Sequence, residues 1–267
     1  MNANAGKPLA LVTGASSGIG LELARQFALH GYDIVACAED AAKLQSASED
    51  IASSAKVAPR VETVVADLST PQGVEKLWKA VQALGRTLDV LAANAGIGAG
   101  GDFAQDTDLE KELRIVNLNC ASQVHLTKLA VREMVARRRG KVLITSSIAS
   151  QMPGAYEAVY AASKAFLQSF GTAIREELKD RGVTVTTLLP GPTDTEFFER
   201  ADMQDTKAGQ GAKDDPADVA EAAYEALEKG EASVVTGAKN KLETGIAKVL
   251  PDALKTKLHG VQAKPQH

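Results

Sequence analysis

The chain has 267 residues, 45% of them apolar and 24% charged, with a net charge of −4 and both signs interspersed. That length buries a sizeable core in one large domain or two small ones, and the charge gives no electrostatic reason for a nucleic-acid partner. Two cysteines without a CxxC partner and four scattered histidines argue against a disulfide framework or a zinc site, so no metal is expected.

The opening stretch has an apolar run too short for a signal peptide, and nothing approaches the roughly 20 apolar residues of a membrane span. The expectation is a soluble protein of the cytoplasm, a reducing compartment, with no membrane partner. Seven strand-like runs then follow: 8–14, 33–38, 61–67, 88–96, 141–147, 183–191 and 232–237. They are β-branched and continuously apolar, the pattern of parallel strands covered on both faces. Six helix-like segments alternate with them: 18–30, 40–55, 71–85, 107–139, 158–181 and 216–229. Ser69-Thr70-Pro71 and Asp214-Asp215-Pro216 read as helix starts, a capping residue beside a first-turn proline. Arg137-Arg138-Arg139 before Gly140 reads as a helix C-terminus.

The alternation predicts a single α/β domain over 1–267, a doubly wound seven-stranded parallel sheet with helices on both faces, of the Rossmann type. Its core spans about 7–237. Residues 190–215 are too long and polar for an ordinary connection and read as a substrate lid. Residues 239–267 read as a helical extension, with the patterns KLETGIAKVL and DALKTKLHG.

The first strand runs into TGASSGIG, residues 13–20, at the start of the first helix. Gly14, Gly18 and Gly20 suit a tight turn and close backbone approach to an anion at the helix N-terminus. At this junction a nucleotide phosphate site outweighs a purely steric turn. Further on, Tyr156, Tyr160 and Lys164 fall at successive intervals of four, which places them on one face if all three are helical. Alone, such a pair also describes surface packing with a snorkelling lysine.

From the spacing G-x-x-x-G-x-G the chain resembles the short-chain dehydrogenase/reductase superfamily, in its compact single-domain branch. The resemblance covers about 7–237 and rests on TGASSGIG, ADL at 66–68, ANAG at 93–96, VNLN at 116–119, ITSS at 144–147, YAASK at 160–164 and PGPTDT at 190–195. It implies a catalytic set of Asn117, Ser147, Tyr160 and Lys164, because in this family the active tyrosine follows the active serine by thirteen residues and the lysine follows by four more. Ser146 is expected to be a strand-end hydroxyl without a chemical role. The implied cofactor contacts are Gly14, Ser16, Ser17, Gly18, Ile19, Gly20, Glu39, Asp67, Leu68, Asn94, Ala95 and Gly96. Tyr160, Lys164, Pro190, Gly191, Thr193 and Thr195 complete them, and Ala93 stands where relatives usually have a second asparagine.

The implied activity is hydride transfer between a nicotinamide cofactor, NAD or NADP, and a small alcohol or ketone. Tyr160 acts as general acid/base, its acidity raised by the Lys164 ammonium and by the cofactor's charge. Glu39 and Asp40, with Ser16 and Ser17 where NADP-using relatives often carry cations, favour NAD, although Ala38 replaces the aspartate most common in NAD enzymes. The two acids equally suit the start of the next helix. Tyr156, Phe197 and Phe198 are candidate substrate walls, and Gly96–Gly101 a closely approached or mobile rim. The alternative is a non-catalytic dinucleotide-sensing or scaffold protein on the same fold. The resemblance also implies that the long helices 107–139 and 158–181 pair copies into a homodimer or homotetramer.

Overall fold

The apolar runs fold as short strands, buried on both faces in the middle of the sheet and largely half-buried or exposed in the edge strands β3 and β7: β1 Leu9–Thr13, β2 Asp33–Ala38, β3 Val61–Val65, β4 Val90–Ala93, β5 Gly140–Thr145, β6 Val183–Leu189 and β7 Ser233–Val235. The computed structural model describes residues 6–237, 240 and 251–264. The strands form one parallel sheet in the order β3-β2-β1-β4-β5-β6-β7. The helices are α1 Gly18–Leu29, α2 Ala41–Ser54, α3 Pro71–Ala83, α4 Leu109–Ile115, α5 Ser122–Ala136, α6 Ala158–Leu178, α7 Phe197–Arg200, α8 Lys207–Gln210, α9 Pro216–Glu228 and α10 Asp252–Ala263.

Strand side chains alternate between two cores, as a period of two requires. Leu9, Leu11, Val35 and Cys37 join Trp78 of α3, Leu126 of α5 and Leu167 of α6. Ala10, Val12, Ile34 and Ala36 join Phe27 of α1, Ile51 of α2 and Val219 of α9 on the other side. The expected helix starts are present: Thr70 accepts from the Gly73 N–H at 3.0 Å, and Asp215 from that of Ala217 at 2.8 Å. The segment expected as one helix over 107–139 is α4 and α5 joined by a π-helical turn, Val116–Ala121. A π turn winds in an extra residue, so it changes which side chains face the sheet.

Residues 190–215 carry α7 and α8, and an isolated parallel bridge between Thr193 and Asp214 closes the base of the segment. The KLETGIAKVL pattern, 241–250, lies outside the described residues. Among the described residues no helix is long and apolar enough to cross a membrane, and no cluster of side chains could hold a metal ion. The chain reverses strand order between β1 and β4, and the carboxyl ends of those strands are where such sheets bind ligands.

Candidate active site

Thr13, the last residue of β1, ties the switch point together. Its hydroxyl accepts from the backbone N–H groups of Asn94 at 2.9 Å and Ala95 at 3.0 Å, while the Asn94 amide donates to the Thr13 carbonyl at 3.1 Å. Gly14 and Gly18 both adopt left-handed conformations, φ +68° and +53°. A Cβ on Gly20 would lie 2.0 Å from the Gly14 carbonyl oxygen, so only glycine lets α1 start so close to the loop. Ser17 is the N-cap of α1 but makes no side-chain cap bond, which leaves the first-turn N–H groups to an anion. These features fit a dinucleotide pyrophosphate.

The loop opens into a cleft of about 430 Å³. Ser16 to Gly20, Asn94 to Gly96, Pro190, Gly191, Thr193 and Thr195 all line it, as do Ser147, Tyr160, Lys164, Phe197 and Phe198. Residues 190–215 press on its rim: a Cβ on Gly98 would lie 2.6 Å from the Phe197 ring, and one on Gly100 would lie 2.4 Å from Met203. The glycines at 96–101 are thus a closely approached rim, and Phe197 stands 5.1 Å from the Tyr160 ring, centroid to centroid.

At the far end of the cleft Ser147, Tyr160 and Lys164 are all buried. Ser147, two residues beyond β5, caps the short turn Ile148–Gln151 and accepts from the Ala149 N–H at 3.1 Å. Ser146 donates to the Lys164 carbonyl at 2.7 Å and has a structural place beneath the site. The Lys164 ammonium donates to the Thr145 carbonyl at 3.0 Å and lies 5.7 Å from the Tyr160 ring centre. Burial pushes the Lys164 pKa down to about 8, only partly opposed by Cys120. Burial also pushes the Tyr160 hydroxyl up, the Glu157 charge adds to this, and a hydrogen bond with Ser147 opposes it. Desolvation therefore outweighs the depression expected from Lys164, and the protein by itself keeps the phenol protonated.

Two expectations, Asn117 and Tyr156, need correction. Asn117 is exposed and does not line the cleft, whereas Asn119 is fully buried. The Asn119 Oδ1 accepts from the Ile97 N–H at 3.0 Å, and its Nδ2 donates to the Ile97 carbonyl and the Ser163 hydroxyl, both at 2.9 Å. A Cβ on Gly96 would lie 3.2 Å from both Asn119 Oδ1 and Lys164 Nζ, so it is Asn119 that shares Lys164's surroundings. The π turn is the physical reason, because it re-aims the residues of VNLN. Tyr156, too, is absent from the cleft lining. Helix α6 begins only at Ala158, and Tyr156 precedes it with φ +67°, so the interval of four to Tyr160 does not stack the two rings.

Glu39, Asp67 and Leu68 also lie outside the lining. Leu68 is in the core. Glu39 pairs with Arg114 of α4, whose guanidinium also lies 3.6 Å from Asp67. Burial pushes the Asp67 carboxyl up, but hydrogen bonds from Ser69 and the Arg114 charge outweigh it and hold the group below the usual carboxylate range. Sequence reasoning missed Arg114, Glu157, Lys255, His259 and Gln262, of which the last four line the cleft. No local pattern marks the meetings of Arg114 with Glu39 and of His259 with Glu157, which join segments far apart in the chain.

A family model described as short chain dehydrogenase matches residues 8–206. The very-long-chain 3-oxoacyl-CoA reductase of Emericella nidulans is 35% identical over 66% of this chain and 51% of its own, so the chain spans about half the length of that relative. The NADP-dependent 3-hydroxy acid dehydrogenase YdfG of Salmonella typhi is 30% identical over 76% of this chain and 80% of its own. Among solved structures, a short-chain dehydrogenase from Sphingobium yanoikuyae in complex with NADPH superposes with a TM-score of 0.77 at 26% identity, covering 92% of this chain and 97% of that one. The glycine loop, the parallel sheet and the matched sequence together make this chain a member of the short-chain dehydrogenase family.

Proposed function

We propose that the protein is an NAD(P)-dependent oxidoreductase that interconverts an alcohol and a ketone, with Tyr160 as general acid/base. The observation that carries this reading is the burial of Ser147, Tyr160 and Lys164 together, in a cleft that begins at an anion-fitted glycine loop. Bound nicotinamide supplies or accepts the hydride. Ser147 holds the substrate oxygen by a hydrogen bond, and Tyr160, protonated in its dry surroundings, delivers a proton to that oxygen as negative charge develops. Lys164 favours the phenolate that remains, and Asn119 fixes the Ile97 backbone beside it. A sensor or scaffold has no use for an ammonium buried at this cost, and nothing else in the structure favours that alternative.

The preference for NAD loses its ground. It rested on the acids Glu39 and Asp40 and on the lack of a cation in the usual places, and Arg114 supplies a cation beside Glu39 from α4. Arg114 is free to exchange Glu39 for a 2′-phosphate, so we read the cofactor as NADP, the cofactor in the names of YdfG and of relatives with bound NADPH. The apolar walls Phe197, Phe198, Met203 and Met152 suit a ketone with a hydrophobic body. Together with the relatives' names, they point to 3-oxoacyl or 3-hydroxyacyl compounds. Residues 190–215 act as the lid of one domain, and the free thiols of Cys37 and Cys120 fit the reducing cytoplasm. Leu109, Leu113 and Val116 and, on α6, Phe166 are exposed apolar side chains, which suits a homodimer. Sedimentation showing a monomer at micromolar concentration would remove that last reading.

The test is a panel of 3-oxoacyl thioesters and esters with NADPH, followed at 340 nm. Turnover by the wild type that Tyr160→Phe abolishes supports the reading. Turnover retained by Tyr160→Phe overturns it.

A further inference from the structure

The N-cap residue of α6 is Glu157, 8% exposed, a carboxylate that lines the cleft. A residue from the far end of the chain meets it. His259 of α10 places Nε2 3.2 Å from Glu157 Oε2 and Nδ1 3.3 Å from the Ala155 carbonyl oxygen. A carboxylate and a carbonyl can only accept, so the ring that satisfies both carries a proton on each nitrogen. The histidine side chain is 11% exposed and the glutamate 9%, so the pair is nearly dry. Burial pulls the His259 pKa down, but Glu157 and the Ala155 carbonyl outweigh it and raise it.

The surrounding chain is shaped to receive α10. A Cβ on Gly154 would lie 3.3 Å from the His259 ring, and one on Gly260 would lie 3.4 Å from Ala155 Cβ. The left-handed Tyr156 turns the chain between them. Lys255, His259 and Gln262 consequently line the cleft. The other charged or titratable groups facing it are Tyr160 and Lys164 from α6 and Lys255, which pairs with Asp252 at 3.1 Å. From the lid come Glu196, paired with Lys43 and Arg200, and Arg200 itself. Cys120 acts on Lys164 from the π turn.

We propose that Glu157 and His259 are a positioning pair for the reaction: the imidazolium seats α10 as a wall of the substrate cleft and neutralises a carboxylate held one helical turn from Tyr160. The role rests on the assignment of Tyr160 as acid/base. The sign follows from linkage. His259 is raised in the folded protein, so its contribution is complete below its unfolded pKa of about 6.5 and is lost as pH rises through the folded value. Above that value Glu157 stands uncompensated, α10 loosens, and the phenol becomes harder to ionise.

The test uses the full chain in its NADP+ complex and needs no substrate. Imidazole NMR of His259, identified by its loss in His259→Gln, gives its titration midpoint in wild type and in Glu157→Gln. Glu157 makes no side-chain cap, so that substitution leaves the helix start intact. With 3,5-difluorotyrosine at the four tyrosines, the fluorine signal missing from Tyr160→Phe reports ionisation at Tyr160. The expected results are a lower His259 midpoint in Glu157→Gln and amide exchange over 252–263 about tenfold faster in His259→Gln. The Tyr160 midpoint should rise by about one pH unit in His259→Gln and return in the Glu157→Gln/His259→Gln double variant and in His259→Lys. A His259 midpoint indifferent to Glu157 overturns the pair, and a Tyr160 midpoint equal in all variants overturns its influence on the site. Activity surviving in Tyr160→Phe would fell the acid/base assignment while leaving the His259 measurement intact.

Discussion

Asn119→Ala against Asn117→Ala separates the two asparagines of VNLN by measurement. Asn119 has no solvent exposure and makes three hydrogen bonds, two of them to the N–H and C=O of Ile97. The third partner, Ser163, keeps its bond to the Tyr160 carbonyl at 2.7 Å. Truncation therefore orphans two backbone groups at about 1–3 kcal/mol each, toward the low end because Ile97 is only half-buried and water can reach it. The expected loss is about 2–3 kcal/mol in urea unfolding, or roughly 5–10 °C in Tm for a chain of this size. Asn117 is exposed, and its truncation should stay within about 0.5 kcal/mol. Ketone reduction should fall along with stability only in Asn119→Ala, because the Gly96–Ile97 backbone beside Lys164 is released. Equal losses in the two variants, or a larger one at Asn117, would refute the reasoning.

Lys164 carries a stability cost with an unusual sign. Its folded pKa of about 8 lies below the unfolded value, so the cost is fully present below pH 8 and is relieved as pH rises toward 10.5. Lys164→Met should be more stable than wild type at pH 7 by about 2–3 kcal/mol, after losing the bond to Thr145, and the gap should narrow by pH 10 while turnover is lost. Urea titrations at the two pH values check this. Arg114→Ala should weaken NADP binding by about tenfold, the worth of one charge-assisted hydrogen bond, and leave NAD nearly unchanged in calorimetry. Equal effects on both cofactors would mean that Arg114 only steadies Glu39.

What the sequence disclosed and what it withheld divide along a physical line. Strands buried on both faces show as unbroken apolar runs, and the glycines of 14–20 show because left-handed turns and a 2.0 Å approach admit nothing larger. Tyr160 and Lys164 share one face because both lie within α6, but it was the family's count of thirteen from Ser147, not the spacing, that singled them out. Spacing failed where the helix was not ideal. The π turn handed the buried position to Asn119, and Tyr156, ahead of α6 in a left-handed conformation, lies off the helical face of Tyr160. Arg114 against Glu39 and His259 against Glu157 join segments far apart in the chain, and no local period encodes such a meeting.

Transfer of label from cofactor to product tests the central claim most directly. With a 3-oxoacyl ester and NADPH deuterated at C4 of the nicotinamide, the wild type should place one deuterium on the carbinol carbon, and Tyr160→Phe should form no labelled alcohol. Alcohol without deuterium on that carbon, or labelled alcohol formed at the wild-type rate by Tyr160→Phe, would contradict it.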